Sequence, residues 1–170
     1  MIFYSGFSLQ NDKVNFEAYL KESDFTISGF SYGAIKAFQK ALGSKERIDT
    51  LQLFSPAFFQ NRDKKFKRLQ LMAYKKNKEA YIEQFIKGCF APFNLGEFNL
   101  NASSIDELDE LLNYTWNESD LKTLVARGVK IEVYLGEKDQ IVNSAVASDF
   151  FREYGTVYYI NGANHFLQTK

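Results

Sequence analysis

Asp24-Phe25-Thr26-Ile27-Ser28-Gly29-Phe30-Ser31-Tyr32-Gly33-Ala34-Ile35 reads as a short strand, a tight turn carrying a serine, and the start of a helix. Gly29-Phe30-Ser31-Tyr32-Gly33 fits G-x-S-x-G, in which a strained strand-to-helix turn lifts a serine hydroxyl above a sheet. The two glycines answer a steric demand, because a side chain at either would collide with the neighbouring strand or helix. The turn also sets the backbone N–H of Tyr32 at a helix start, where a developing oxyanion can be held. Five residues of this kind recur by accident, so the context decides. Phe25, Thr26 and Ile27 suit a strand, and Ile35, Phe38 and Leu42 repeat at helical spacing until Gly43.

Outward from this stretch, strand and helix patterns alternate. Met1 to Tyr4 reads as a buried strand, left through the loop Ser5-Gly6-Phe7. Val14 to Leu20 carries a short helical pattern. Thr50 to Phe54 is the next apolar strand, closed by Ser55-Pro56. From about Arg62 to Tyr114 the strand signal vanishes. Phe66, Leu69 and Ala73 mark one helix there, and Tyr81, Ile82, Phe85 and Ile86 a second. Ile105, Leu108 and Leu112 mark a third, opened by the capping box Ser104-x-x-Glu107. A helical insertion of this size, about residues 60–116, predicts a lid over the site. Beyond it Leu121, Leu124 and Val125 form a helix stopped at Gly128, followed by a strand over Lys130 to Leu135. A helix through Val146, Phe150 and Tyr154 and a last strand, Thr156 to Ile160, complete the pattern. About five strands alternating with helices predict a single α/β domain with a mostly parallel sheet, covered by helices on both faces.

An attacking serine needs a base, and the base needs an orienting acid. The chain has one histidine, His165, in the loop beyond the last strand. Asp139 lies in the loop after the preceding strand. Asp106, Asp109 and Glu137 compete for the acid's role, but of these only Glu137 follows a strand, and it precedes the expected position. The chain order Ser31, Asp139, His165 differs from the orders of the chymotrypsin and subtilisin triads. The oxyanion hole is expected from the backbone N–H groups of Phe7 and Tyr32.

Composition excludes other classes. At 170 residues and 45% hydrophobic, the chain can bury a core as one domain. No apolar run is long enough for a bilayer, and Met1-Ile2-Phe3-Tyr4 lacks a basic leader, so neither a membrane partner nor a secretory signal is expected. The single cysteine, Cys89, rules out an intrachain disulfide and fits a reducing cytoplasm; its expected role is that of a small buried hydrophobe. A net charge of zero argues against nucleic acid. One His and one Cys make no metal cluster, and no phosphate-cradling glycine loop is present, so no metal and no cofactor are expected. The neutrality conceals a segregation. Asn61 to Lys78 holds eight basic residues against one acid, and Glu97 to Asp120 holds seven acids with no Lys or Arg. Such runs read either as solvated helix faces or as a surface for an acidic partner.

The assembled features resemble the short pimeloyl-acyl-carrier-protein methyl ester esterases of biotin synthesis, which are compact α/β-hydrolases. The stretches that carry the resemblance run almost end to end. They are Phe3-Tyr4-Ser5-Gly6-Phe7, Ile27 to Ala37, Leu53-Phe54-Ser55-Pro56, Phe66-Lys67-Arg68-Leu69-Gln70-Leu71, Gly128 to Val133 with Asp139, and Asn164-His165-Phe166-Leu167-Gln168. The resemblance implies a minimal α/β-hydrolase in which Ser31 attacks the methyl ester of a seven-carbon diacid borne on acyl carrier protein. His165 is then the base, later the acid, and Asp139 its orienter. Because acyl carrier proteins are acidic, it also implies docking by Arg62, Lys64, Lys65, Lys67 and Arg68. Two departures from the general hydrolase plan stand out. Ser5-Gly6 replaces the usual His-Gly of the oxyanion loop, and the first, second and fourth strands of larger relatives have no counterpart.

Overall fold

The computed structural model describes residues 1–170. The elements in chain order are β1 (Ile2–Tyr4), β2 (Leu9–Gln10), β3 (Thr26–Phe30), α1 (Tyr32–Gly43), β4 (Thr50–Phe54), α2 (Lys64–Lys76), α3 (Lys78–Phe90), β5 (Asn99–Leu100), α4 (Ile105–Asn113), α5 (Glu118–Ala126), β6 (Lys130–Gly136), α6 (Ser144–Phe151) and β7 (Thr156–Ile160). Five strands form one sheet in the order β1-β3-β4-β6-β7, and every pairing is parallel. β3 and β4 are buried at every position, as parallel strands covered on both faces must be. No helix is long and apolar enough to cross a membrane.

One face of the sheet carries Ile27, Leu51, Leu53, Ile131, Val133 and Leu135 into the larger core, with residues of α1, α5 and α6. Ala34, Ala37 and Ala41 are fully buried on α1. Their small side chains let the helix lie close to the sheet. Trp116 fills the space between this layer and the helical segment, and its indole N–H donates to the Ala57 carbonyl at 2.9 Å.

The opposite face is built differently. Phe30, Phe54 and Tyr134 meet Phe16, Phe166 and the end of α3 in a second, aromatic core. Phe16 lies 4.8 Å, ring to ring, from both Phe30 and Phe54. The sequence pattern predicts a helix over Val14 to Leu20; the chain instead makes a 3-10 turn over Asp12–Phe16 and then runs irregularly. The reason lies in which side chains are used. Asp12 and Phe16 are buried within the turn, whereas Val14 is 63% exposed, so no apolar stripe sustains a regular helix.

Hydrogen bonds fasten this segment to the sheet. Ser28, Gln52 and Glu132 are cross-strand neighbours on β3, β4 and β6. Gln52 donates to the Tyr19 carbonyl at 2.9 Å and to Glu132 at 3.2 Å, and it accepts from the Lys21 N–H at 3.0 Å. Tyr134 donates its hydroxyl to Glu132 at 2.9 Å, and the Lys21 ammonium pairs with the other Glu132 oxygen. Lys21 is half exposed, so its pull is screened, but the Gln52 and Tyr134 donors are buried.

The long segment after β4 forms three helices, as the sequence predicts. Asp63 caps α2 by accepting from the Phe66 N–H at 2.8 Å, and the Ser104–Glu107 capping box is formed at α4. One pairing of this segment is not suggested by the sequence: β5 pairs antiparallel with β2, from the loop after β1. Two residues are too short to give a periodic signal, and both positions of β5 are exposed.

Glu132→Ala leaves the buried Tyr134 hydroxyl without its acceptor and removes one partner of the Gln52 amide, which is expected to cost about 2–3 kcal/mol. Urea denaturation should show a lower midpoint with an unchanged slope. A loss below about 1 kcal/mol would mean that the network does not hold the sheet face together.

Candidate active site

Ser31 sits between the end of β3 and the start of α1, at φ 54° and ψ −115°. A non-glycine residue held in this region stores strain of about 1–3 kcal/mol, so its neighbours must fix it. They do so through the backbone. The Ser31 N–H donates to the Phe54 carbonyl at 2.9 Å, and the Ala57 N–H donates to the Ser31 carbonyl at 3.1 Å. The glycines of the motif meet the expected demand. A Cβ on Gly29 would overlap the Gly33 carbonyl, and one on Gly33 would overlap the Tyr4 and Ser5 carbonyls. The elbow helix therefore packs directly on the backbone that leaves β1.

The structure brings Ser31, His165 and Asp139 together. His165 Nε2 is 3.0 Å from Ser31 Oγ, and His165 Nδ1 is 2.6 Å from Asp139 Oδ2. A carboxylate accepts here, so the proton resides on Nδ1 and Nε2 faces the serine hydroxyl as an acceptor. Asp139 Oδ1 takes two further bonds, from the N–H groups of Ile141 at 2.7 Å and Val142 at 3.0 Å. These fix the carboxylate's plane. Of the competing acids, Glu137 accepts from the Gly162 N–H, and Asp106 and Asp109 are exposed on α4.

Ser31 is 4% exposed and His165 fully buried, with the Phe30 ring 5.0 Å from the imidazole. Asn164 anchors the histidine loop by donating to the Phe90 carbonyl at 2.9 Å. Cys89 is also buried, and burial, reinforced by the Asp139 charge, pushes its thiol well up from the ordinary value. It is therefore a packed thiol and no rival nucleophile.

The Phe7 N–H, one of the two expected oxyanion donors, meets no protein acceptor. Tyr32 is the first residue of α1, where an N–H has no intrahelical partner. Beside Phe7 lies a cavity of about 180 Å³, walled largely by Phe59, Phe66, Phe85, Leu108, Leu112 and Ile141. Tyr81 also lines it and donates to Gln70 at 3.0 Å; burial pushes its hydroxyl up to about 12, so it acts as a neutral donor. Arg62 stands at the cavity wall with its guanidinium 4.4 Å from the centre of the Phe66 ring. Lys64, Lys65 and Arg68 are exposed on α2, and Lys67 is half-buried there. None of these five cations forms a salt bridge.

Two contacts at the site are not suggested by the sequence. Ser55, fully buried and at φ 40°, donates its hydroxyl to the His165 carbonyl at 2.7 Å. The sequence marks it only as the end of a strand, since a positive φ at a serine leaves no trace in composition. Glu110 on α4 accepts from the Tyr32 hydroxyl at 2.6 Å and from Lys36 at 3.1 Å, tying the helical segment to the elbow helix.

No family model matches the chain, and no curated protein matches it in sequence. Solved structures do resemble it. Naproxen esterase (carboxylesterase NP) from Bacillus subtilis aligns with 85% of this chain and 54% of its own, at 19% identity and a TM-score of 0.55. BioG from Haemophilus influenzae aligns with 98% of this chain and 88% of its own, at 14% identity and 0.59. MenH from S. aureus aligns with 96% and 85%, at 14% identity and 0.61. The chain thus spans little more than half of the esterase but most of BioG and MenH. At these identities the likeness establishes the fold, an α/β-hydrolase fold reduced to five strands. Within that fold the chain carries a hydrogen-bonded Ser–His–Asp constellation.

Asp139→Asn should preserve the fold yet lower kcat on a p-nitrophenyl ester by about 10⁴-fold, because an amide favours the wrong imidazole tautomer. Ser31→Ala should lower it at least as far. A loss within tenfold for either variant would place the reactive centre elsewhere.

Proposed function

We propose that this chain is a serine carboxylesterase that hydrolyses the methyl ester of pimeloyl-acyl-carrier protein, releasing methanol. The observation that carries the hydrolase reading is His165 standing between Ser31 Oγ and Asp139 Oδ2 at hydrogen-bond distance from both. Ser31 Oγ attacks the ester carbonyl while His165 Nε2 takes its proton. The carbonyl oxygen becomes an oxyanion held by the N–H groups of Phe7 and Tyr32. Asp139 steadies the imidazolium, which then protonates the departing methoxide as the acyl-enzyme forms. Water, deprotonated by the same Nε2, releases the acyl group and restores Ser31.

The substrate assignment rests on different grounds. The resemblance in sequence to short esterases of biotin synthesis points to the carrier-bound ester. The apolar cavity beside Phe7 suits a methylene chain, and the unpaired cations of α2 suit an acidic carrier. In this reading α2, α3 and α4 act as a lid. Ser31 and His165 are closed off from solvent, so the ester enters when these helices shift.

The test is mass spectrometry of acyl carrier protein loaded with pimeloyl methyl ester after incubation with the enzyme. Loss of one methylene's mass is expected, and only with Ser31 intact. Loss of the whole acyl group would make the protein a thioesterase. The triple variant Lys64→Glu, Lys65→Glu, Arg68→Glu should lower turnover of the loaded carrier by about tenfold or more while sparing a small soluble ester. Equal losses on both substrates would remove the docking role.

A further inference from the structure

The loop that leaves β1 is unusual in its backbone. Between Gly6 and Asp12 it holds two non-glycine residues with left-handed φ, Ser8 at 59° and Asn11 at 58°. Each such residue raises the energy of the loop, so a restraint must hold the conformation. The loop also has little room to adjust. A Cβ on Gly6 would lie 2.8 Å from the Phe30 ring, and the Tyr4 and Ser5 carbonyls bear directly on Gly33. It therefore runs against the elbow itself.

The restraint at its base is Asp12. This carboxylate is 4% exposed, and its Oδ2 accepts from the Gly6 N–H at 2.8 Å, closing the loop into a ring. Its other oxygen, Oδ1, is buried with no hydrogen-bond partner, alone among buried side-chain polar atoms of the protein. Burying a carboxylate with half its acceptor capacity unused is costly. A neutral residue would suit packing better, so the cost must be offset by what Oδ2 does. The bond to Gly6 is charge-assisted and hence stronger than a neutral one. It fixes the plane of the peptide on one side of Gly6. The next peptide carries the Phe7 N–H, which has no acceptor of its own. The far limb of the loop is held separately, by the Asn101 N–H on the Ser8 carbonyl at 2.9 Å.

We propose that Asp12 is a positioning residue for the oxyanion hole: its carboxylate holds the strained Gly6–Asn11 loop so that the Phe7 N–H points at the carbon–oxygen bond attacked by Ser31. This inference rests on the hydrolase reading above. Asp12 touches no substrate atom and acts only through the Gly6–Phe7 backbone.

The experiment compares wild type, Asp12→Ala and Asp12→Asn on p-nitrophenyl butyrate and on phenylboronic acid, whose tetrahedral serine adduct mimics the transition state. Asp12→Ala should lower kcat by about 10²-fold with KM within about threefold, the signature of a lost oxyanion donor. Boronate affinity should fall in parallel. Asp12→Asn keeps an acceptor for Gly6 and should retain most of kcat even where its melting temperature falls. An Asp12→Ala enzyme with wild-type kcat, or an Asp12→Asn enzyme as impaired as Asp12→Ala, would overturn the proposal. If neither variant folds, nuclear magnetic resonance of the wild type decides. The Gly6 amide proton should be shifted downfield, and the Phe7 amide should move on boronate binding; a Phe7 amide indifferent to boronate would overturn the role. A wild type that neither hydrolyses the ester nor binds boronate would instead overturn the hydrolase reading itself.

Discussion

The turn at Ser31 is the constraint on which the other parts depend. A serine at φ 54° can persist only where the backbone on either side is fixed, and here three separate strands supply the fixing. The end of β4 contributes through the Phe54 carbonyl and the Ala57 N–H. β1 contributes by lying so close to Gly33 that only hydrogen fits between them. β6 contributes indirectly, because its Tyr134 carbonyl accepts from the Ser55 N–H, and Ser55 in turn holds the His165 carbonyl. The strain, the glycines and the buried serine just after the next strand thus form one mechanical unit. Its output is the position of one hydroxyl relative to one imidazole.

The two faces of the sheet show how a short chain builds this unit. One face is covered in the ordinary way, by α1, α5 and α6 over aliphatic side chains. The other has only a 3-10 turn, an irregular segment and the end of α3. Aromatic rings and a polar row centred on Gln52 and Glu132 take the place of a packed helix there. That substitution has a consequence for chemistry. The same segment that closes the second face supplies Asp12 to the Gly6 N–H, in the loop that runs against the elbow, and Phe16 to the aromatic core beneath His165. Asn15 extends the connection, accepting from Gln168 at 3.4 Å in the turn that follows the histidine. Covering the sheet and setting the site are therefore tasks of one stretch of chain.

Much of this was legible in the sequence because it follows from order along the chain. Strands buried on both faces announce themselves as apolar runs, and in a parallel sheet the loops after successive strands gather at one edge. Ser31, Asp139 and His165 could be placed together on that basis alone, and the three helices between β4 and α5 were visible through their periodicity and caps. What was not legible depends on side chains meeting backbone across space. Asp12 reads like any polar residue in a loop, and Ser55 like the residue that closes a strand. Their roles come from a carboxylate and a hydroxyl reaching particular N–H and carbonyl groups. The pairing of β2 with β5, two residues on each side, carries too little pattern to be read. The helix expected over Val14 to Leu20 fails because Asp12 and Phe16 turn inward while Val14 faces solvent, so no apolar stripe forms to sustain it.

The most direct measurement of the central assignment is the intact mass of the protein after reaction with a fluorophosphonate, with the adduct mapped by peptide sequencing. One adduct per chain, carried by Ser31 and abolished when Asp139 can no longer orient His165, is the expected result. An unmodified protein, or an adduct on another residue, would contradict the assignment of Ser31 as nucleophile.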